Sequence, residues 1–171
     1  VTIPAEITIQ TGLDALSHSF ESIWNKNKNE ISTLYAKNAI NEILEVLPLL
    51  VTDLSNIEYR ERMLMASYHS GVAFSNTKTS IAHAISYYLT LQKGVPHGIA
   101  ASILLAKILK IYMEDTSIDC DLDIDLVVKV ENLFNKLNIS TQIKDYDITE
   151  KDLATIENSL HNISRAQNSI I

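Results

Sequence analysis

Asp14 and His18 form the first pair of residues whose types and spacing could support chemistry. They stand four positions apart in a segment with helical periodicity, so both side chains project from one face with Cβ atoms about 5–6 Å apart. A carboxylate and an imidazole at that separation can share one metal ion. The same pair also forms surface hydrogen bonds on helices, so the spacing alone leaves both interpretations open.

His83 and His97 are two further candidates for chemistry. His83 stands within the largely apolar stretch 80–85, where a histidine can equally be a hydrogen-bonded core residue. His97 follows Pro96 at a predicted helix start, a position that disfavours an imidazolium but suits a neutral imidazole ligand. Taken singly, each histidine fits a structural role as well as a metal site.

Three segments of the chain resemble the iron-dependent (group III) alcohol dehydrogenases. In that family a G-x-D-A-x-x-H stretch is followed by a histidine in an apolar helix and by another in a P-H-G turn. The resemblance extends from Pro4 to about Tyr112 and is thin afterwards. The matching segments are TGLDALSHSFES at 11–22, MASYHSGVAFSNTKTSIAHAISYYLT at 65–90 and GVPHGIAASILL at 94–105.

The resemblance implies a metal centre and a redox reaction. Matched position by position, the metal ligands of the family fall on Asp14, His18, His83 and His97. One carboxylate and three imidazoles suit Fe²⁺ or Zn²⁺. Such an ion polarises the oxygen of a small alcohol or aldehyde substrate, and hydride passes between the substrate and NAD(P).

Two positions near the predicted ligands bear on the substrate. Tyr87 stands four residues after His83, where many members of the family have a histidine that relays a proton. A phenol can hydrogen-bond a substrate oxygen, so Tyr87 is the candidate catalytic residue, with a packed aromatic as the alternative. Residues 76–79 and Ser86 are similar to the branch that includes phosphonoacetaldehyde reductases. In that branch Lys78 would face an anionic substrate group, and a solvated loop lysine is the alternative.

Composition excludes several classes of protein. The 171 residues include only four glycines, and none of their spacings fits a nucleotide-binding loop. A formal net charge of −7 argues against binding to nucleic acid or anionic membranes. The single cysteine, Cys120, excludes an internal disulfide and a thiolate metal site, and the longest apolar stretch, 98–106, is too short to span a bilayer. We therefore expect a cytoplasmic protein without a membrane segment.

Helical periodicity through most of the chain predicts an all-α fold, a compact multi-helix domain over residues 1–171. The resemblance implies the C-terminal domain shared by dehydroquinate synthase-like and iron-dependent alcohol dehydrogenases. Residues 4–10 are predicted to be extended, with Thr11 as the first helix cap. Helices are predicted at about 12–25, 32–51, 58–74, 81–91, 96–112, 122–137 and 150–163.

Members of the resembled family have a second, N-terminal α/β domain with a glycine-rich cofactor loop. Only the helical half is present in this sequence, so the resemblance implies that NAD(P) is bound mainly by the other domain. The cofactor-binding residues of this chain are therefore unknown at this stage. We expect no turnover by the chain alone and a homo-oligomer for the whole protein.

Two other functions stay open from the sequence. A related superfamily enzyme, of the glycerol dehydrogenase or dehydroquinate synthase type, also places a metal beside a helical half. The Asp14 and His18 pair argues against it, since those relatives usually supply fewer ligands from this segment. A non-enzymatic helical interaction domain with a vestigial site is the third possibility.

Overall fold

The computed structural model describes residues 3–115, 122–123 and 125–170, so Cys120 lies outside the described residues. These ranges contain no β-strand, only a single antiparallel bridge between Asn25 and Ser169, and the all-α prediction is confirmed. The α-helices are α1 (Ala5–Ile23), α2 (Glu30–Thr52), α3 (Ile57–Thr77), α4 (Ile81–Lys93), α5 (His97–Ser102), α6 (Leu105–Glu114), α7 (Leu126–Lys136) and α8 (Glu150–Leu160). Short 3-10 helices cover Ile143–Tyr146 and Ala166–Asn168.

The first helix begins earlier than the sequence pattern predicts. The expectation of an extended segment at 4–10 with a cap at Thr11 is wrong, because α1 begins at Ala5. Thr11 lies inside the helix and donates its hydroxyl to the carbonyl of Ile7. Arg60 from α3 donates to the Thr8 hydroxyl and to the carbonyl of Ile3. These contacts tie the first turn to α3, and tertiary structure therefore overrides the weak helix propensity of the local sequence.

The predicted helix at 96–112 is divided into two. Ile103 and Leu104 form a turn between α5 and α6 but keep dihedral angles close to the helical region. On the two sides of this turn the packing partners differ, because α5 packs on α1 and α4 while α6 packs on α7. The remaining helix boundaries differ from the prediction by a few residues.

Helix α1 is the centre of the fold and packs against α2, α3 and α5. Its buried face continues into Trp24, whose indole nitrogen donates to the hydroxyl of Ser80 just before α4. No helix in the described ranges is both long enough and apolar enough to cross a membrane. The largest fully buried side chains, which define the core, are Trp24, Tyr112, Phe20, Phe134, Leu13, Leu16, Ile40, Ile43, Leu47, Leu50, Leu89 and Ile103.

Candidate metal centre

The four predicted ligands converge although they come from three helices. Asp14 and His18 project from α1, His83 lies in the first turn of α4, and His97 is the first residue of α5. The Nε2 atoms of His83 and His97 lie 3.4 and 3.6 Å from Oδ1 of Asp14. Nε2 of His18 lies 3.4 Å from the other oxygen, Oδ2. The structure therefore surrounds one carboxylate with three imidazole nitrogens.

Ring stacking fixes the orientation of His18. Its imidazole stacks on the His83 ring, with centroids 4.3 Å apart, and its other neighbour is the Phe74 ring at 4.2 Å. Ligating atoms of Asp14, His83 and His97 all lie within 4.8 Å of one another. His18 is adjacent to this group on the Oδ2 side of the carboxylate. Asp14, His83 and His97 thus form a tight group, and His18 lies next to it, in contact with Asp14.

Hydrogen bonding at the centre is incomplete, which is what a cation site requires. Oδ1 of Asp14 and Nε2 of His83 are buried, and neither has a hydrogen-bond partner among the described residues. Leaving such groups unpaired costs about 1–3 kcal/mol each. Ligands about 2.1 Å from a tetrahedral metal lie roughly 3.4 Å apart, close to the observed separations. The donor set of one oxygen and three nitrogens fits Fe²⁺ or Zn²⁺.

Glu21 is a residue of the candidate site that sequence reasoning missed. Its side chain is fully buried, and Oε2 lies 2.7 Å from Nδ1 of His83. The backbone N–H groups of Ser80 and His83 donate to the same carboxylate. Because a carboxylate accepts hydrogen bonds, the proton of a neutral His83 is held on Nδ1, and the lone pair of Nε2 faces the site. The sequence signal that could have identified Glu21 is its position seven residues after Asp14, which places both side chains on the same face of the helix.

Charges are strongly coupled at the centre when no metal is bound. Burial raises the pKa of the Asp14 carboxyl, but the neighbouring His18 and His83 outweigh this effect and bring the pKa well below its usual range. Burial lowers the pKa of His83, whereas Asp14 and Glu21 raise it, and the net result is about 9. A proton on His83 therefore balances Asp14 at neutral pH, and a metal ion would have to displace that proton.

Gly98 explains why the P-H-G motif positions His97. A Cβ atom at Gly98 would lie 1.9 Å from the backbone carbonyl oxygen of Gln10, so only glycine allows α5 to approach α1 this closely. The hydroxyl of Ser17 also donates to the carbonyl of Ala101 at 2.8 Å. These two contacts fix α5 against the helix that carries Asp14.

A cavity of about 610 Å³ opens beside the cluster. Tyr87 lines it, with its ring centroid 6.1 Å from that of His97 and about two-fifths of its surface exposed. The guanidinium of Arg165 lies over the Tyr87 ring, 4.9 Å from the centroid. Arg165 was not singled out from the sequence. Its position depends on the C-terminal segment, which Asn168 ties to the carbonyl of Thr79.

Lys78 also lines this cavity, and the role that the resemblance implies for it, facing an anionic substrate group, stays a prediction. Its backbone has φ 77° and ψ 170°, a conformation that only glycine adopts readily and that costs a residue with a side chain about 1–3 kcal/mol. The N–H of Lys78 donates to the carbonyl of Phe74. Its own carbonyl accepts a hydrogen bond from the buried side-chain amide of Asn25 at 3.0 Å. The fold thus holds Lys78 in a strained backbone conformation at the rim of the site.

Comparisons with known proteins identify relatives of this chain. The family model described as Fe-containing alcohol dehydrogenase family, C-terminal, matches residues 8–120. An NAD-dependent methanol dehydrogenase from Bacillus methanolicus is 39% identical over 100 residues, which cover 58% of this chain and 26% of the relative. A 1,3-propanediol dehydrogenase from Klebsiella pneumoniae is 37% identical over 102 residues, which cover 60% of this chain and 26% of the relative.

A solved relative extends the similarity to nearly the whole chain. It is the sulfoacetaldehyde reductase from Bifidobacterium kashiwanohense in complex with NAD⁺, which superposes with a TM-score of 0.87 at 29% identity. The match covers 99% of this chain and 47% of that structure. The matched residues therefore cover about a quarter of each of these two curated relatives and about half of the solved one.

Proposed function

This chain belongs to the Fe-containing alcohol dehydrogenase family, and we propose that it is the metal-binding part of an enzyme that interconverts alcohols and aldehydes with a nicotinamide cofactor. Asp14, His18, His83 and His97 would hold Fe²⁺ or Zn²⁺. One observation carries the proposal: the buried Oδ1 of Asp14 lies 3.4 and 3.6 Å from two imidazole nitrogens and accepts no hydrogen bond from the described residues.

The residues around the cluster have separate tasks in the proposed reaction. When bound, the metal supplies a Lewis acid that polarises the substrate oxygen. Glu21 keeps His83 in the ligating tautomer, and Phe74 stacks on the His18 ring and holds its orientation. The Tyr87 phenol stands beside His97, where it would hydrogen-bond the oxygen of the substrate. Alcohol oxidation then transfers a hydride from carbon to the nicotinamide and releases the hydroxyl proton.

The cofactor part of the proposal rests on relatives rather than on residues of this chain. The methanol dehydrogenase is named as NAD-dependent, and the sulfoacetaldehyde reductase was solved with NAD⁺. Both proteins extend well beyond the matched region. We propose that NAD(P) is bound mainly by the part of such proteins that this sequence does not cover.

Metal analysis of the chain, purified without chelator, tests the proposal directly. We expect nearly one equivalent of iron or zinc per chain, and a Co²⁺ titration that saturates at the same stoichiometry. Replacing both His83 and His97 by alanine should abolish binding, because two of the four donor atoms are lost. His161→Ala, at the exposed end of α8, is the matched control and should bind normally. Full binding by the double variant would overturn the proposal.

A further inference from the structure

The α3–α4 connection, residues 77–80, is held by side chains from two other parts of the chain. We propose that Trp24 and Ser80 are positioning residues of the metal centre. The indole of Trp24 fixes Ser80, and the N–H of Ser80 in turn holds the carboxylate of Glu21. Glu21 orients the imidazole of His83. This inference rests on the function proposed above, because it concerns the support of a proposed metal ligand.

At the start of α4, the usual hydrogen bonds of a helix cap are exchanged between side chains. Ser80 immediately precedes α4, where a serine hydroxyl ordinarily accepts a hydrogen bond from a backbone N–H of the first turn. Among the described residues this hydroxyl makes no such bond, and it accepts the indole N–H of Trp24 at 3.1 Å instead. The N–H of His83 is thereby left to donate to Glu21, at 3.0 Å. The same carboxylate caps the helix and contacts the His83 ring.

The rest of the α3–α4 connection is also held by side-chain donors. The three successive backbone carbonyls of residues 77–79 accept hydrogen bonds from side-chain amides at 3.3, 3.0 and 2.9 Å. In that order, the donors are Asn27, Asn25 and Asn168. With Trp24 on Ser80, each of four consecutive residues is fixed by one side chain. The N–H of Ser80 is therefore presented at a defined point, as the support of a binding site requires.

Lys78 lies within this connection and has the strained backbone described above, with φ 77°. Such a conformation persists only where the surrounding structure imposes it, and it is most frequent beside functional sites. The fully buried Asn25 contributes to that structure through its bond to the Lys78 carbonyl. The fold therefore tolerates strain in the short segment that leads to Ser80.

Trp24 can hold Ser80 because its own position is fixed. Its ring is fully buried and stacks on the ring of Phe20, with centroids 5.6 Å apart. Its backbone carbonyl accepts the N–H of Ile170 at 3.0 Å. A change at Trp24 or Ser80 should therefore reach the metal centre, through the position of Glu21.

The affinity of the chain for Co²⁺, measured by calorimetric titration, tests the inference. Ser80→Ala removes the hydroxyl that accepts the indole N–H but keeps the backbone N–H that Glu21 accepts. We expect the affinity to fall about three- to tenfold, less than for the loss of a residue that contacts a ligand directly. Trp24→Phe should give a similar loss. The double variant should lose no more than either single variant, because both changes remove the same hydrogen bond.

A Glu21→Gln background separates positioning from a general loss of stability. If Ser80 acts through Glu21, adding Ser80→Ala to Glu21→Gln should change the affinity for Co²⁺ by less than about twofold. Ser32→Ala is the matched control, because it removes another buried serine hydroxyl at a helix start, bonded to the Asn29 N–H at 3.0 Å. It should lower the unfolding free energy and leave the affinity unchanged.

Circular dichroism of each variant shows whether it is folded. If Trp24→Phe does not fold, Asn168→Ala takes its place, because it removes only a partly exposed amide from the carbonyl of Thr79. It should lower the affinity in the same direction. Folded variants that keep the affinity of the parent chain, or a Ser80→Ala loss that is equally large in the Glu21→Gln background, would overturn this inference alone. A parent chain that binds no Co²⁺ would overturn the proposed function and this inference with it.

Discussion

Two carboxylates at opposite ends of α4 have opposite hydrogen-bonding states. Asp152, on α8, accepts hydrogen bonds from the Tyr88 hydroxyl at 2.6 Å and from the Thr149 N–H at 2.7 Å, and it forms an ion pair with Lys93 at 2.7 Å. Asp14 has three imidazoles around it, but its Oδ1 accepts no hydrogen bond among the described residues. We call these groups the Asp152 cluster and the Asp14 cluster.

This difference in hydrogen bonding distinguishes a carboxylate that stabilises the fold from one that is a candidate metal ligand. Each oxygen of Asp152 is satisfied by the protein, and Lys93 above all, followed by Thr149 and Tyr88, holds the pKa of that carboxyl well below its usual range. Both carboxylate oxygens of Asp152 already accept hydrogen bonds from the protein, so neither is available to a ligand. In the Asp14 cluster, the protein gathers one carboxylate and three imidazoles around one point, and Oδ1 of Asp14 accepts no hydrogen bond among the described residues. A buried carboxylate oxygen that has no hydrogen-bond partner and lies among imidazoles therefore distinguishes the candidate site from the stabilising contact at Asp152.

Asp14→Asn should have the largest effect on metal binding. The amide keeps the shape of the side chain but removes the charge that attracts the ion, so we expect the affinity for Co²⁺ to fall more than about 100-fold, beyond the usual effect of residues that only support a ligand. Asp152→Asn is the matched change in the other cluster and should leave the affinity unchanged. Calorimetric titration of both variants measures the difference. Equal losses in the two would show that hydrogen-bond satisfaction does not mark the site.

The two clusters should also respond to pH in opposite directions. Without metal, the pKa of His83 rises from 6.5 to about 9 on folding, so its contribution to stability is present below pH 6.5 and is lost as the pH rises through 9. The loss should be on the order of 3 kcal/mol. The pKa of Asp152 is lowered, so its contribution is present above about pH 4 and is lost as the pH falls.

Urea denaturation between pH 2 and 10, with chelator present, measures this behaviour. Asp152→Asn should keep the alkaline loss of the parent chain, whereas His83→Gln should remove it. Saturating Co²⁺ should reverse the trend between pH 6.5 and 9, because the metal binds only the deprotonated imidazole. A metal-free chain whose unfolding free energy stays constant over that range would contradict the assignment of the proton to His83.

Glu21→Gln should weaken metal binding by about 10–100-fold, the range found when a carboxylate that orients a histidine ligand is lost. The neutral amide no longer fixes the Nδ1 proton of His83 and cannot accept all the hydrogen bonds that Glu21 accepts. Glu42→Gln, which disturbs only the partly exposed pair with Arg62, is the control. The affinity for Co²⁺ is the readout, and an unchanged value in Glu21→Gln would assign Glu21 a purely structural role.

Lys78→Gly should give the smallest effect, a gain of about 1 kcal/mol in unfolding free energy. It relieves backbone strain of about 1–3 kcal/mol, and the greater freedom of glycine in the unfolded chain offsets about 0.5–1 kcal/mol. The control lies near the Asp152 cluster, where Asp147 has φ 55° and ψ 32°. Aspartate tolerates that left-handed region well, so Asp147→Gly should gain little. A Lys78→Gly variant that is less stable than the parent chain would contradict the assignment of backbone strain to Lys78.

Local sequence was sufficient for the fold class, and the resemblance to the iron-dependent alcohol dehydrogenases supplied the four candidate ligands. Helical periodicity and the P-H-G motif depend on neighbouring residues only, and the structure confirms the all-α fold and brings Asp14, His18, His83 and His97 together. Their role as metal ligands stays a prediction. Tyr87 was placed beside the ligands by its spacing from His83, and the structure sets it at the edge of the cavity.

The residues that were missed depend on contacts between distant parts of the chain. Glu21 acts only because the start of α4, about sixty residues later, lies against α1. Arg165 reaches Tyr87 from the C-terminal segment. The start of α1 was misplaced for the same reason, because Arg60 holds that turn from α3. Neither helical periodicity nor a short sequence motif predicts such contacts between residues that are far apart in the sequence.

The close approach of Gly98 to Gln10 also has a consequence for the order of events in folding. Individual helices form within about a microsecond, but α1 and α5 meet through residues such as Ser17 and Ala101, which are 84 positions apart. Closing so long a loop is an entropically costly step that follows local structure. Asp14 and His97 become neighbours only after that step. Capture of a metal by the refolding chain would therefore report the completion of long-range closure, later than the helical signal in circular dichroism.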